Sequence, residues 1–210
     1  MKIIIVVAPL LLAACAGAAP QIEDRSAFMV EGTREYIGES PERVIGASQV
    51  VLKLSDPDDF KFINNLNGFT GLRSYSYYAV FAAVSGTEKW EFQTQPTAGA
   101  VKASIAISDA SAAGNKYGTS VGERPMASVA LYRLFWNRVD YMLGRRSDWV
   151  TCDQAKAEVA AQGKSGVDAL SGLCGLTSGG RDAAAPEPLA AILRPAAPPS
   201  ALRAKRPPGT

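Results

Sequence analysis

None of the 210 residues of this chain is a histidine, so chemistry that needs an imidazole is closed to it. Ser-His-Asp triads, Cys-His dyads and HExxH zinc sites all use an imidazole as base or ligand, so none can be built. No P-loop or GxGxxG stretch occurs either. Acid chemistry remains open, since paired carboxylates cleave glycosides and a single glutamate can act as the acid of a peptidoglycan-cutting site. The candidates are Asp56, Asp58 and Asp59 in one group and Glu88 and Glu91 in another. Both have a plainer reading: the first group falls in a helix-ending turn, the second along a solvated strand face. The 56–59 cluster also lacks the glycine and distal glutamate of an EF-hand loop. No metal and no cofactor is therefore expected.

The aromatic residues Tyr75, Tyr77, Tyr78, Phe81, Trp90 and Phe92 are the second candidate group. Tyrosine and tryptophan offer flat apolar area with a polar handle, suited to an acyl chain or a sugar. Alternation puts Tyr75, Tyr77 and Phe81 on one strand face and Tyr78 on the other. One face is the core under the helices, and an exposed aromatic face would be an interaction surface. Tyr75, Tyr77, Tyr78, Phe81 and Trp90 are taken as the candidate binding residues.

The elements that must position these groups are readable from period and punctuation. Ser40, Pro41 and Glu42 open a helix with a cap, a first-turn proline and a first-turn carboxylate. It extends to about residue 54, with Val44, Ala47, Val51 and Leu54 on one face. From Phe60 the period becomes two, and the Asn-Gly of residues 67–68 lies between apolar runs as in a hairpin. A strand then reaches about residue 84, a turn is expected at 85–87, and Trp90, Phe92 and Thr94 alternate with Lys89, Glu91 and Gln93. Val101, Ala103, Ile105 and Ile107 form a fourth strand. Residues 28–37 read equally as a strand or a lead-in, and the Ser-, Gly- and Ala-rich stretch 109–123 reads as a long loop. A second helix opens near Pro125 and carries Val129, Tyr132, Phe135, Trp136, Val139, Met142 and Leu143 at helical spacing. Gly144 is placed to cap its end, and Thr151 with Gln154 forms a capping box for a shorter helix.

At the start of the chain, Lys2 and the apolar run 3–12 precede Ala13, Ala14 and Cys15. This is the pattern of a targeting segment, and the run is too short to remain as a span of the roughly 20 residues a bilayer core needs. Leu12-Ala13-Ala14-Cys15 resembles the lipobox of bacterial lipoproteins. The resemblance implies cleavage before Cys15, lipidation of that cysteine, and a mature chain anchored at the periplasmic face of a membrane; Ala16 in the following position implies the outer membrane. Cys152 and Cys174 are then the two remaining thiols of an oxidising compartment, and a disulfide between them is expected.

The expected organisation is a signal peptide at 1–14, a tether at 15–22, a single globular domain at 23–175 and a disordered tail at 176–210. Seven of the 25 residues from 186 to 210 are proline, mixed with alanine and with Arg194, Arg203, Lys205 and Arg206. Such a composition buries too little apolar surface to order itself. Hydrophobic residues make up 47% and charged residues 20% of the chain, enough for a packed core. Net charge is +2, but the tail's five basic against two acidic residues leave the body weakly acidic. A nucleic-acid partner would call for a clustered basic face instead.

The expected fold is α+β: a four-strand antiparallel meander with flanking helices on one face, a two-layer sandwich. Its element order is loosely similar to the helix-grip domains of some outer-membrane assembly lipoproteins, over residues 40–144. The expected function is a non-catalytic envelope lipoprotein, a binding or scaffolding module whose partners are the membrane, through its anchor, and an envelope protein or peptidoglycan. A carrier or sensor of a hydrophobic ligand and a carboxylate-based peptidoglycan-active enzyme are the alternatives.

Overall fold

The computed structural model describes residues 29–79, 82–126, 128–161, 169–175 and 185–189. Cys15, the expected signal peptide and tether, Phe81 and all of the expected tail except 185–189 lie outside the described residues. The chain runs β1 (Thr33–Ile37), α1 (Pro41–Ser55), β2 (Phe60–Asn65), β3 (Gly68–Ala79), β4 (Ala82–Thr97), β5 (Ala100–Asn115), β6 (Gly118–Pro125), α2 (Val129–Met142), α3 (Cys152–Ala161) and α4 (Ser171–Cys174). The α+β class holds, but the antiparallel sheet has six strands rather than four, in the order β1-β5-β4-β3-β2 with β6 also on β5.

The helix borders follow their caps. Ser40 accepts the Arg43 amide at 3.4 Å ahead of Pro41, and Thr151 and Gln154 bond each other's backbone amides at 2.9 and 3.2 Å. The second long helix starts later than Pro125, which ends β6; its cap is Ser128, accepting from the Leu131 amide. Past its end, the amides of Gly144 and Arg145 reach back to the carbonyls of Tyr141 and Asp140, with Gly144 at φ 74°. A side chain is strained there, so Gly144→Ala is expected to lower the unfolding free energy by about 1 kcal/mol. Gly46, inside α1 with open space where a Cβ would go, should respond with the opposite sign when changed to alanine. Urea titration of the two variants checks the pair.

Both long helices cover one face of the sheet. Val44, Val51 and Leu52 of α1 and Leu131, Tyr132, Phe135, Trp136 and Val139 of α2 are buried with Phe60, Phe69, Trp90, Phe92, Ile105 and Ile107. Glu91, Gln93, Lys102 and Ala106, on the other face, are exposed. This is the alternation of a sheet with one wet side. At the C-terminal end a disulfide joins Cys152 of α3 to Cys174 of α4, as expected from the sequence. The described piece of the expected tail, 185–189, touches the body: the Tyr141 hydroxyl donates to the Pro186 carbonyl at 2.7 Å and Leu189 packs on the core.

The extra strands come from stretches with little apolar contrast. Residues 109–123 are not a loop; β5 continues through them to Asn115, and β6 returns along it with Asp109 opposite Arg124 and Asn115 opposite Gly118. Their alanines, serines and glycines pair through the backbone without presenting an apolar stripe, which is why the composition resembles a loop. The reversal expected at 85–87 lies instead between Ala79 and Ala82, and Ser85, Gly86 and Thr87 are inside β4. Gly86 is required there because the Tyr75 ring lies across it: a Cβ would meet the ring Cζ and hydroxyl at 2.5 Å.

The sheet therefore has two halves. In the near half β1 flanks residues 100–104 of β5 and β2 flanks residues 68–73 of β3. In the far half β6 flanks residues 108–115 of β5, and residues 74–79 of β3 have only β4 beside them among the described strands. The far half is a four-strand arm, β6-β5-β4-β3.

Candidate functional site

A row of charged side chains crosses the sheet where the helix-covered half meets the arm. Arg73 on β3 stands opposite Glu88 on β4, Glu88 opposite Asp109 on β5, and Asp109 opposite Arg124 on β6. Residues directly opposite in an antiparallel ladder share a face, so all four point to the helix side. Arg73, Glu88 and Asp109 are buried, with Arg73 fully so.

Arg73 organises the row. Its Nε donates to Asp56 Oδ2 at 2.8 Å and its Nη1 to Glu88 Oε1 at 3.1 Å. Asp56 is the residue that caps the C-terminal end of α1, so one guanidinium ties that helix to two strands. Glu88 also accepts the Ser171 hydroxyl of α4 on Oε1 and the Trp90 indole N–H on Oε2, the latter at 3.3 Å. Gly172 is pressed on the same carboxylate, where a Cβ would collide with Oε2. Burial pushes the Glu88 carboxyl above its ordinary value of 4.5, against the pull of Arg73. A raised carboxyl stabilises the fold most below its unfolded pKa, and that contribution is lost as pH rises through the folded one. Glu88→Gln should flatten this part of the stability curve, read as urea midpoints from pH 4 upward; an unchanged slope would refute the shift.

Farther along the row, Tyr75 lies over Gly86 and its hydroxyl donates to Asp109 Oδ1 at 2.7 Å. Burial, with Asp109 beside it, raises the Tyr75 pKa, which keeps the phenol protonated as a donor. Tyr77 continues the same face, its ring 6.2 Å from that of Tyr75 at an interplanar angle of 23°. Tyr78 on the opposite face is 89% exposed, and Tyr117 at the β5–β6 turn and Val121 on β6 are also exposed.

The candidate residues thus separate. Tyr75, Tyr77 and Tyr78 fall together on the arm, whereas Trp90 does not join a binding surface: it is fully buried, its ring 5.9 Å from those of Phe60 and Phe135. Glu88 and Glu91 do not share a solvated face either. Glu88 keeps the parity of Trp90 and goes inward, while Glu91 is exposed. Asp58 and Asp59 are exposed, and Asp56 is the carboxylate committed to Arg73. Arg73 escaped the sequence reading, although its spacing of two from Tyr75 marked it for the same face.

Arg138, also unforeseen, is buried in the middle of α2. Its guanidinium donates to the Val150 carbonyl and the Ser55 hydroxyl, lies 3.5 Å from the sulfurs of both Cys152 and Cys174, and stacks on Trp149 at 4.6 Å. The disulfide therefore closes over a buried cation as well as joining two helices.

None of the described helices is long and apolar enough to cross a membrane. Comparison of the chain with models of protein families, with curated proteins and with solved structures finds no match.

Proposed function

We propose that the chain is a non-catalytic lipoprotein of the cell envelope, held at the periplasmic face of the outer membrane through Cys15, and that it works as a binding or scaffolding module through its arm. The observation that carries this reading is the arm itself. Its strands extend past the helical layer and present Tyr77 on one face and Tyr78 on the other, with Tyr117 at the tip of the β5–β6 hairpin. Exposed aromatic area of this kind is enriched where proteins meet partners. The lipobox-like Leu12-Ala13-Ala14-Cys15 supports the anchor, and the partner expected at that location is an envelope protein or peptidoglycan.

Two experiments test the two parts. Cys15→Ser should move the full-length chain from the membrane fraction to the soluble periplasm, and undiminished membrane association would remove the anchor from the proposal. A photo-crosslinking residue at Tyr78 or Tyr117, introduced in living Gram-negative cells, should give a discrete adduct with an envelope protein or with cell-wall fragments. The same residue at Lys61, on an edge strand of the near half, should not. Adducts of equal yield at all three positions, or none at Tyr78 and Tyr117, would end the assignment to the arm.

The rings under the helices pack on one another, with Phe92 5.1 Å from Phe69 and 6.1 Å from Trp136, and Phe135 4.9 Å from Trp136, which favours the binding-module reading over a carrier or sensor of a hydrophobic ligand.

A further inference from the structure

We propose that the outer edge of β3 beyond Arg73, residues 74–79, pairs antiparallel with the same edge of a second copy of this chain, joining two arms into one continuous sheet. The inference uses the arm but neither the lipid anchor nor an envelope partner, so it can fail while the proposed function stands, and the reverse.

The first observation is a contrast among edges. Each described edge segment other than this one carries a feature that opposes pairing with another chain. β1 has Arg34 and Glu35, β2 has Lys61, and β6 has Glu123, Arg124 and Pro125 with two glycines. Charges, proline and irregular glycine positions are the usual protection of an open edge. Residues 74–79 read Ser-Tyr-Ser-Tyr-Tyr-Ala, with no charge, proline or glycine, and are rich in a residue type favoured in strands. Ser74, Ser76, Tyr77 and Tyr78 are exposed. Their ladder is complete toward β4 and open on the other side among the described residues.

The second observation concerns what fits. An uncharged edge gives no Coulombic selection for a charged strand, so the matching strand is itself uncharged and unprotected. Among the described residues that description fits this same segment, and a segment pairing with itself across a two-fold axis forms a closed, isologous contact. Sterics then choose the register. Phe60 fills the lane beside Arg73, so an incoming strand has to start beyond it. A ladder centred on Tyr77 satisfies this, placing Ser76 opposite Tyr78 of the partner subunit and Tyr77 opposite its own counterpart. No like charges meet, and an aromatic pair forms on the helix-side face. None of Ser74 to Tyr78 belongs to the buried cluster beneath the helices. A ladder this short buries less than the roughly 1,200 Å² of standard stable complexes, so the pairing is reversible and concentration-dependent.

The test is thiol trapping in the full-length chain, in a Cys15→Ser background so that the added cysteine is the sole free thiol beside the Cys152–Cys174 bridge. Tyr77→Cys should give a covalent homodimer on mild oxidation, seen on non-reducing gels and falling with dilution. Thr119→Cys, exposed on β6 of the same arm, should give only background. Adding Ser76→Lys, which restores a protecting charge at an exposed position, should cut the Tyr77→Cys yield several-fold while far-UV circular dichroism stays unchanged. A Tyr77→Cys yield no higher than that of Thr119→Cys, or one indifferent to Ser76→Lys, overturns the proposal. So does trapping in cells of a different protein at Tyr77→Cys without homodimer.

Discussion

Replacing Arg73 by methionine is expected to remove about 3–5 kcal/mol of stability at neutral pH, the cost of breaking a buried ion pair from one side. The reason is the company that the guanidinium keeps. Asp56 and Glu88 are 2% and 1% exposed, and Arg73 is the cation bonded to both. Methionine fills much of the same volume but leaves two carboxylates to be neutralised or hydrated in a closed site. The deficit should therefore depend on pH in one direction. As pH falls, Glu88, whose carboxyl burial already holds above its ordinary value, takes up a proton, part of the uncompensated charge disappears, and the gap to the parent chain narrows. Adding Asp56→Asn and Glu88→Gln to Arg73→Met should recover part of the loss at neutral pH by the same logic. Urea unfolding of these variants at pH 7 and pH 4 is the measurement. A loss below about 1 kcal/mol, or one that does not change with pH, would mean that the row is far better solvated than its burial indicates.

The second large effect is expected from the disulfide. Changing both Cys152 and Cys174 to alanine opens a loop of 22 residues and should cost about 3 kcal/mol on the chain-entropy model. The structure says where the loosening should concentrate. α4 is one turn long, held by the bridge, by Leu170 and Leu173 in the core, and by the Ser171 hydroxyl on Glu88. Arg138 keeps its bonds to Val150 and Ser55 without the sulfurs, so α2 should remain in place. Hydrogen exchange should accelerate at the backbone amides of positions 173 and 174, which bond the Leu170 carbonyl, while the amide of Ile107, bonded to the Tyr132 hydroxyl, keeps its protection relative to global unfolding. Equal acceleration at both places would show that the bridge supports the whole body instead of one corner.

How much of this was legible beforehand can be judged residue by residue. The cap at Ser40, the box formed by Thr151 and Gln154, the stop at Gly144 and the pairing of the two cysteines all appear as read, because each depends on atoms within a few residues or on a count of available partners. The alternation of Trp90, Phe92 and Thr94 was also sufficient to place a strand with one wet face. Continued two residues back, it puts Glu88 indoors. That signal was present and was overridden by the expectation that a glutamate beside Lys89 and Glu91 is solvated, an expectation that fails when an arginine on the neighbouring strand is in register with it.

What the sequence by itself determined about this protein is local: which stretches start and end helices, which run alternates, and which chemistries have no imidazole to work with. Tertiary structure alone decided which face of the sheet the helices cover, that Arg73 and Glu88 meet under α4, that Tyr75 needs Gly86 beneath it, and that the Ser-, Ala- and Gly-rich stretch becomes β5 and β6. The physical reason is the same in each case. A strand's partner is chosen by backbone hydrogen bonds and packing between segments far apart in the chain, as when Thr33 of β1 comes to lie opposite Ser104 of β5, and the side chains of one strand carry its period but not the identity of its neighbour.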